Sequence, residues 1–434
     1  LRLSDPPAPS YYADSIAAAR AAAEPAARAA LSGAVRVDVA VVGGGIAGCS
    51  AALHLAKRGY RVALVEAREI GYGASGRSGG QTIFGYATSQ QTLVTQMGRD
   101  DARRLFQLAS EGLDLIQALI REHAIDCDYR PNHLHVAVKP RHVRELEQWE
   151  RELHEDYDYP SATFLDREAL RGHVASERYL AGLLDTRSGH LNPLKYTRGL
   201  ARAAESLGVR IYENTQVLRY APGSPAEVHS ADGVLRCDHL VFCGSAYLGS
   251  VAPTIARRIL GVGTYMIATE PLSPERAHAL LPSNGAIADM NWILDYFRLS
   301  PDHRLLFGGR VSYSAIEPRQ LAAAMRRRML GVFPSLADVE VSRAWGGYLD
   351  ITMSRAPDLG RLAPNVYYLQ GFSGHGLVVT GLAGKLVAEA IAGTAERFDV
   401  FTRIPHRDFP GGPLLRRPSL VLAMLYYRLR DLIA

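Results

Sequence analysis

The sequence predicts an α/β fold, α+β overall, built as two interleaved domains. Three observations carry this reading. Strand, helix and strand patterns follow one another within about thirty residues from Val37 to Val65, which makes the two strands parallel neighbours joined by a crossover helix. Amphipathic helical stripes recur further along the chain. Between Val209 and Val311, short apolar runs alternate with turn residues, as antiparallel strands do.

The elements follow in order. Residues 1–34 are rich in Ala, Pro and Ser, with Tyr11-Tyr12 as the large landmark, and read as an N-terminal arm packed on the body, helical within Ala17 to Ala30. Val37 to Val42 is β-branched and apolar and ends at glycines, as a buried strand does. Ala and Leu recur at helical spacing from Ile46 to Arg58 and stop before Gly59. Arg61 to Val65 is a second apolar strand, closing on Glu66. Leu105, Leu108, Gly112, Leu115, Ile116 and Leu119 form one stripe of a helix from Asp100 to His123. Tyr129 to Val138 reads as a strand, Arg141 to His154 as a helix, and Pro193 opens a helix towards Ser206.

Val209 to Tyr220, Ala226 to Ser230 and Leu235 to Cys243 then form a strand meander, with Ala231-Asp232-Gly233 as a turn. Val262 to Thr269, Trp292 to Leu299 and Leu305 to Val311 are further strands, and Pro301-Asp302 turns between the last two. Leu321, Met325 and Met329 mark a helix. Val366 to Gln370 is a strand, Gly371 to Gly376 a glycine-rich turn, and Leu377 to Ala392 a helix.

Composition narrows the class. With 434 residues, 47% apolar and 21% charged, the chain is globular rather than disordered. The net charge of +5 is spread over 45 Arg and only four Lys (Lys57, Lys139, Lys195 and Lys385), with Arg326-Arg327-Arg328 and Arg416-Arg417 as the densest runs. That scatter disfavours nucleic acid as a partner. Cys49, Cys127, Cys237 and Cys243 form no CxxC pair, so neither a disulfide framework nor a cysteine zinc site is expected, and no metal is. No apolar run reaches the ~20 residues of a membrane span, and no secretory signal opens the chain, so the cytoplasm is the expected compartment.

Three glycine-rich segments carry the chemistry. Gly43-Gly44-Gly45-Ile46-Ala47-Gly48 is a GxGxxG between a strand and a helix. Gly43 permits the tight turn, Gly45 lets backbone approach a pyrophosphate, and Gly48 lets the helix lie close to the strand. The helix N-terminus at Ile46 and Ala47 offers N–H groups and a positive dipole end to the anion. The next strand ends on Glu66, with Ala67 beside it, and this carboxylate suits both hydroxyls of an adenosine ribose while repelling a 2′-phosphate. This is a Rossmann-like dinucleotide unit.

Gly71 to Gln81 follows directly. Five glycines with Ala74, Ser75 and Ser78 cannot build a core element, and fit a chain lying against a ligand, with Gly79, Gly80 and Gln81 at its end and Arg77 placed to neutralise pyrophosphate. The third segment, Gly371 to Gly376, presents another helix N-terminus. Aimed at the N1–O2 side of a flavin, it would stabilise the reduced ring, with His375 adding charge or shuttling a proton. No second GxGxxG exists for a nicotinamide nucleotide, so electrons should come from a small substrate.

With these motifs the chain resembles the D-amino-acid oxidase-like FAD superfamily of glycine and sarcosine oxidases, and within it the gamma-glutamylputrescine oxidoreductase family. The likeness runs through Ser10-Tyr11-Tyr12, the GASGRSGGQ segment, Asp126 to Pro131, Gly189-His190, Leu294 to Leu299, Gly371 to Gly376, Phe409 to Gly412 and Leu429-Arg430-Asp431. Ser78 stands where the family usually has Asn.

The resemblance implies a discontinuous Rossmann-like FAD domain (35–90, 160–250 and 341–412) and an inserted, mainly antiparallel β-sheet substrate domain flanked by helices (91–159 and 251–340). The arm 1–34 would precede them and a helical tail, 413–434, would follow. It implies non-covalent FAD, since no tethering cysteine stands between Leu349 and Met353. Val217 would lie beside the adenine, Gly244 would line the cofactor, and Gly374, His375, Gly376 and Leu377 would contact the flavin.

The implied reaction is oxidation of a C–N bond in a gamma-glutamylated amine, by hydride transfer to flavin N5, giving an imine and then an aldehyde. His375, Arg310 and Trp345 are the candidate catalytic residues. Tyr296 and Arg298 are the substrate candidates, with Arg298 as the fork for an α-carboxylate. Sarcosine-oxidase relatives carry an oxygen-activating lysine on the strand matching Leu305 to Gly308; here Leu306 stands there. O2 or another electron acceptor would then reoxidise the flavin, and Arg310 or His375 would have to supply the charge. An N-methyl or D-amino-acid oxidase and an RNA-associated flavoprotein are the alternatives.

Overall fold

The computed structural model describes residues 9–23, 28–312 and 320–410, with side chains except at 18–23 and 310–312. The tail 413–434, including Arg416-Arg417 and Leu429-Arg430-Asp431, lies outside them, as do parts of the arm.

Two sheets organise the chain. The first orders its strands Asp358–Ala363, Val366–Gln370, Gly233–Phe242, Gly33–Val42, Val62–Val65 and Arg210–Tyr212. Along this path the pairings are parallel except the outermost, Asp358–Ala363 on Val366–Gln370; off it, Ala226–His229 pairs antiparallel with Gly233–Phe242 and with Arg219–Ala221. Val37 and Val39 to Val41 are wholly buried, which suits a strand covered on both faces. The second sheet orders Val341–Ile351, Leu260–Thr269, Leu305–Ser312, Tyr296–Leu299, Ala286–Asp289, Arg130–Ala137, Ala181–His190 and Gln81–Thr82. Among its described pairings only Ala286–Asp289 on Arg130–Ala137 is parallel.

Two helices, Ile46–Ala56 and Gly376–Ile391, cross over the first sheet. They approach so closely at Gly384 that a Cβ there would sit 2.6 Å from the Ala51 nitrogen and 2.7 Å from the Ala47 oxygen. The Ser50 hydroxyl donates to the Gly381 carbonyl at 2.7 Å across the same crossing. This crossing brings the N-termini of both helices to one cavity.

Several expected boundaries move. The strands Gln81–Thr82, Ala162–Leu165, Ala181–His190 and Val341–Ile351 pair in the second sheet, although the domain reading put them with the first. Helix Arg99–Glu122 packs on Gly376–Ile391, its Gly112 against Val378, so it belongs with the first sheet's helices. Periodicity shows which face of an element is buried, not which partner buries it. Val209 to Tyr220 is not one strand: Arg210–Tyr212 and Arg219–Ala221 are separate, interrupted where Asn214 takes φ +49°. Trp292 to Asp295 is loop, and the strand starts at Tyr296. The N-terminal helix is Tyr11–Ala23, earlier than expected, because Tyr12 is fully buried and anchors its start. No single described helix is long and apolar enough to cross a membrane.

Candidate active site

One cavity of about 1130 Å³ runs between the sheets, lined from the phosphate-type turn at Gly43 to Phe409. Its first end is the strand–helix turn. Gly43 takes φ +113°, and a Cβ there would meet the Cys243 backbone at 2.8 Å. A Cβ on Gly48 would lie 1.9 Å from the Gly43 oxygen, so this glycine serves close packing, as its spacing predicts. Gly45, Ile46 and Ala47 line the cavity. Sequence reading missed the cap of this helix: the Ser75 hydroxyl accepts from the Ile46 N–H at 3.0 Å. A Cβ on Gly45 would run into that hydroxyl, at 2.8 Å, rather than directly into ligand space.

Glu66 also reaches the turn. Its Oε2 accepts from the Gly44 N–H at 2.6 Å and its Oε1 from the Arg68 N–H at 2.9 Å. Burial pushes its carboxyl upward, against the pull of those amides. Each oxygen keeps a second lone pair for a ribose hydroxyl. Ala67, Val217 and Gly244 line the same end.

The glycine loop divides its work. Ala74, Ser75, Ser78, Gly79, Gly80 and Gln81 line the cavity. Gly71 and Gly76 do not; they pack on each other and on Leu194, where a Cβ would meet atoms at 2.1 to 2.9 Å. Arg77 is a correction. Its Nε donates to the Tyr72 carbonyl at 2.9 Å and its Nη1 to the Gly346 carbonyl at 3.2 Å, away from the cavity wall, so it is not placed to neutralise a pyrophosphate.

The far end is the turn before Gly376–Ile391. Asp350, buried, accepts the Gly371 N–H at 2.5 Å, and its carbonyl accepts the Ser373 N–H at 3.0 Å. These bonds aim Gly374, His375, Gly376 and Leu377 into the cavity. His375 Nε2 lies 2.8 Å from the Phe84 carbonyl, which can only accept, so Nε2 carries the hydrogen and Nδ1 the lone pair. Burial holds this imidazole neutral, which corrects the expectation that it adds charge.

The substrate candidates separate. Tyr296 lines the cavity, its ring lying on Gly79 and Gly308. Arg298 does not. It is 2% exposed, and its guanidinium donates to the carbonyls of Gly79 (2.8 Å), Leu191 (2.9 Å) and Leu299 (3.3 Å) and to the Tyr12 hydroxyl (3.1 Å). It is consumed as a brace and has no fork left for a substrate. Trp345 is likewise internal; its Nε1 donates to the Arg77 carbonyl at 3.0 Å, and its ring meets Tyr12 edge-on. Leu306, opposite Arg298 in the ladder, is buried with Tyr12, Met266 and Trp345, off the cavity wall. Arg310's side chain lies outside the described residues. Residues the sequence did not flag, Trp292, Asp350 and Arg355, line the wall instead.

Two helix N-termini, a glycine-lined floor and a carboxylate at one end fit an extended dinucleotide. The comparisons agree. The family described as FAD dependent oxidoreductase (DAO) matches residues 38–390. Gamma-glutamylputrescine oxidoreductase of Escherichia coli (strain K12) is 42% identical over 402 residues, covering 92% of this chain and 94% of that protein. A probable oxidoreductase of Haemophilus influenzae is 37% identical, over 91% and 92%. Glycine oxidase from Geobacillus kaustophilus superposes with a TM-score of 0.69 at 22% identity, over 82% of this chain and 95% of that one. L-proline dehydrogenase from P. horikoshii gives 0.68 at 18%, over 86% and 98%. At such identities the solved structures speak to the fold alone.

Proposed function

The chain belongs to the DAO family of FAD-dependent oxidoreductases, and from that membership we propose that it oxidises a C–N bond of a gamma-glutamylated amine. The observation that carries this reading is the 42% identity, along 92% of the chain, to gamma-glutamylputrescine oxidoreductase. FAD would be held without a covalent bond, by Gly43 to Ala47, Glu66, the 74–81 loop and the turn 374–377. When bound, it supplies the two-electron acceptor.

The chain's own residues set the conditions. The donor carbon must sit beside Tyr296 and the Gly374–Leu377 turn, and the amine must be neutral to release a hydride. The amine gives its proton to solvent as it binds, and His375, held uncharged and with Nδ1 outside the Phe84 bond, offers that nitrogen as an acceptor to an N–H of the neutral amine. The N-terminus of Gly376–Ile391 stabilises negative charge that appears at this end of the site. Water then hydrolyses the released imine to an aldehyde and an amine.

The test is anaerobic bleaching of the flavin by a panel of donors. A gamma-glutamyl amine should act faster than the same amine without its glutamyl group. Equal or faster bleaching by the bare amine, by an N-methyl amino acid or by a D-amino acid would replace this reading with the corresponding oxidase. Flavin that stays with acid-precipitated polypeptide would overturn non-covalent binding.

A further inference from the structure

One stretch of the cavity wall is built around Phe84. His375 Nε2 bonds the Phe84 carbonyl at 2.8 Å, and the Phe84 ring lies 5.7 Å from the Trp149 ring, centroid to centroid. The Trp149 ring lies 4.9 Å from that of His135. Ile83, Tyr86, His135, Trp149, His375 and Thr380 line the cavity here. They come from the segment after Gln81–Thr82, the strand Arg130–Ala137, the helix Pro140–Glu155 and the start of the helix Gly376–Ile391.

The polar groups of this stretch put no charge on it. The Tyr86 hydroxyl donates to the Leu105 carbonyl at 2.7 Å, which leaves its ring for the cavity. The Thr380 hydroxyl donates to the Leu377 carbonyl at 3.3 Å, within its own helix. Burial pushes the His135 imidazole down to about 3, so it is neutral. The surface presented is therefore aliphatic and aromatic, the kind that draws methylene groups out of water. At its edge stands Nδ1 of His375, outside the Phe84 bond and able to accept from an amine N–H.

Trp149 is the largest side chain on this stretch, and its place is fixed. Leu146 and Leu153, on the same helix face, are buried. Glu150 Oε1 accepts the Phe164 N–H at 2.7 Å, and His154 Nε2 bonds the Ala162 carbonyl at 2.8 Å, so the helix is tied to the strand Ala162–Leu165 on either side of Trp149. Ile83 and Trp149 pack on the large apolar cluster yet stay half-buried, with the cavity on their open side.

We propose that this stretch binds the methylene chain of the amine substrate, and that the Trp149 indole is the wall that sets which chain length is preferred. The reacting amine sits at His375, the chain runs along Ile83, Tyr86 and Trp149, and the polar glutamyl head lies beyond the chain. This rests on the amine-oxidation reading above.

The experiment uses the flavin-loaded enzyme and two series of increasing chain length, gamma-glutamyl diamines and the bare diamines. Anaerobic flavin bleaching gives kcat/KM for each member. Calorimetry gives the affinity of unreactive gamma-glutamyl alkylamides, which keep the chain and lack the terminal amine. In the wild type each added methylene should strengthen alkylamide binding about 4-fold until the chain outgrows the wall. Trp149→Ala should cut that increment to about 2-fold or less and move the kcat/KM optimum to a longer chain, and Trp149→Phe should move it less. Flavin content reports whether each variant is folded; should Trp149→Ala load none, Trp149→Phe is read for the same shift. A loaded variant that keeps the wild-type optimum and increments, or that loses equally at every chain length, overturns the assignment to Trp149. A wild type that oxidises bare and gamma-glutamyl diamines equally overturns the gamma-glutamyl reading, and the bare series then decides on Trp149 by the same shift. A wild type that oxidises neither series overturns both.

Discussion

Nε of Arg298 donates to the carbonyl oxygen of Gly79 at 2.8 Å, across 219 positions of sequence. The bond fixes the back of the loop whose front lines the cavity. Trp345 holds the Arg77 carbonyl of the same loop, and the Tyr12 ring lies between the two braces, 5.5 Å from the Trp345 ring and hydrogen-bonded to Arg298. The N-terminal helix is thereby part of the support of the candidate site.

Arg298→Leu should act on the cofactor and on stability rather than on substrate affinity. It removes the donor from the buried Leu191 carbonyl and from the part-buried Gly79 carbonyl, and a buried group left unpaired costs about 1–3 kcal/mol. We expect a loss of about 3–5 kcal/mol, read by thermal unfolding, together with faster flavin release. A variant that keeps its flavin and its melting temperature, and changes only KM, would restore Arg298 as a substrate ligand.

Ser75→Ala removes the oxygen that accepts from Ile46 at the start of the cofactor-facing helix. The cost should be about 1 kcal/mol of stability, with weaker FAD binding measured by titration of the apoprotein. Gly48→Ala is far more severe, because its Cβ would fall 1.9 Å from the Gly43 oxygen. That protein should purify colourless.

His54 gives a pH dependence with a definite sign. Burial, with help from Lys57 and Arg58, pushes its imidazole down to about 3. Unfolded, the same group takes its proton near pH 6.5, so below that pH the unfolded chain binds the extra proton and stability falls by about 1.4 kcal/mol per pH unit. His54→Gln should therefore flatten the fall in stability between pH 6 and pH 4 relative to wild type and change nothing in that slope above pH 7.5. Denaturant melts at four pH values measure it; parallel wild-type and variant curves would show that His54 titrates normally.

Reoxidation by O2 should be slower than reoxidation by an artificial acceptor. Superoxide formation is favoured by a cation close to the flavin. Leu306 offers none, and His375 is held neutral. Anaerobic reduction followed by mixing with oxygenated buffer gives the rate. Fast reoxidation that persists in Arg310→Leu and His375→Ala would refute this account.

The geometry of the strand–helix–strand turn was legible because its requirements are local. Gly43, Gly48 and Glu66 each act within one strand–helix–strand unit, so spacing alone places them. The turn Gly371 to Gly376 was legible for the same reason. Arg298 was misread because a strand pattern places its side chain on a face without saying what already stands there; Tyr12, Gly79 and Leu191 come from three distant segments. Arg355 and Trp292 went unflagged because each is an isolated loop residue without periodicity, and only the closing of two loops brings them together.

The cavity takes its first wall from Val42 and its last from Phe409. The close crossing at Gly384 sets its far end, so a chain still short of that helix has a phosphate turn and no opposite wall. On a ribosome, where residues emerge in order, the dinucleotide unit is complete early and must wait for most of the polypeptide to follow. Loading of the flavin is thus an event of the finished chain, and nascent chains truncated before residue 376 should carry none.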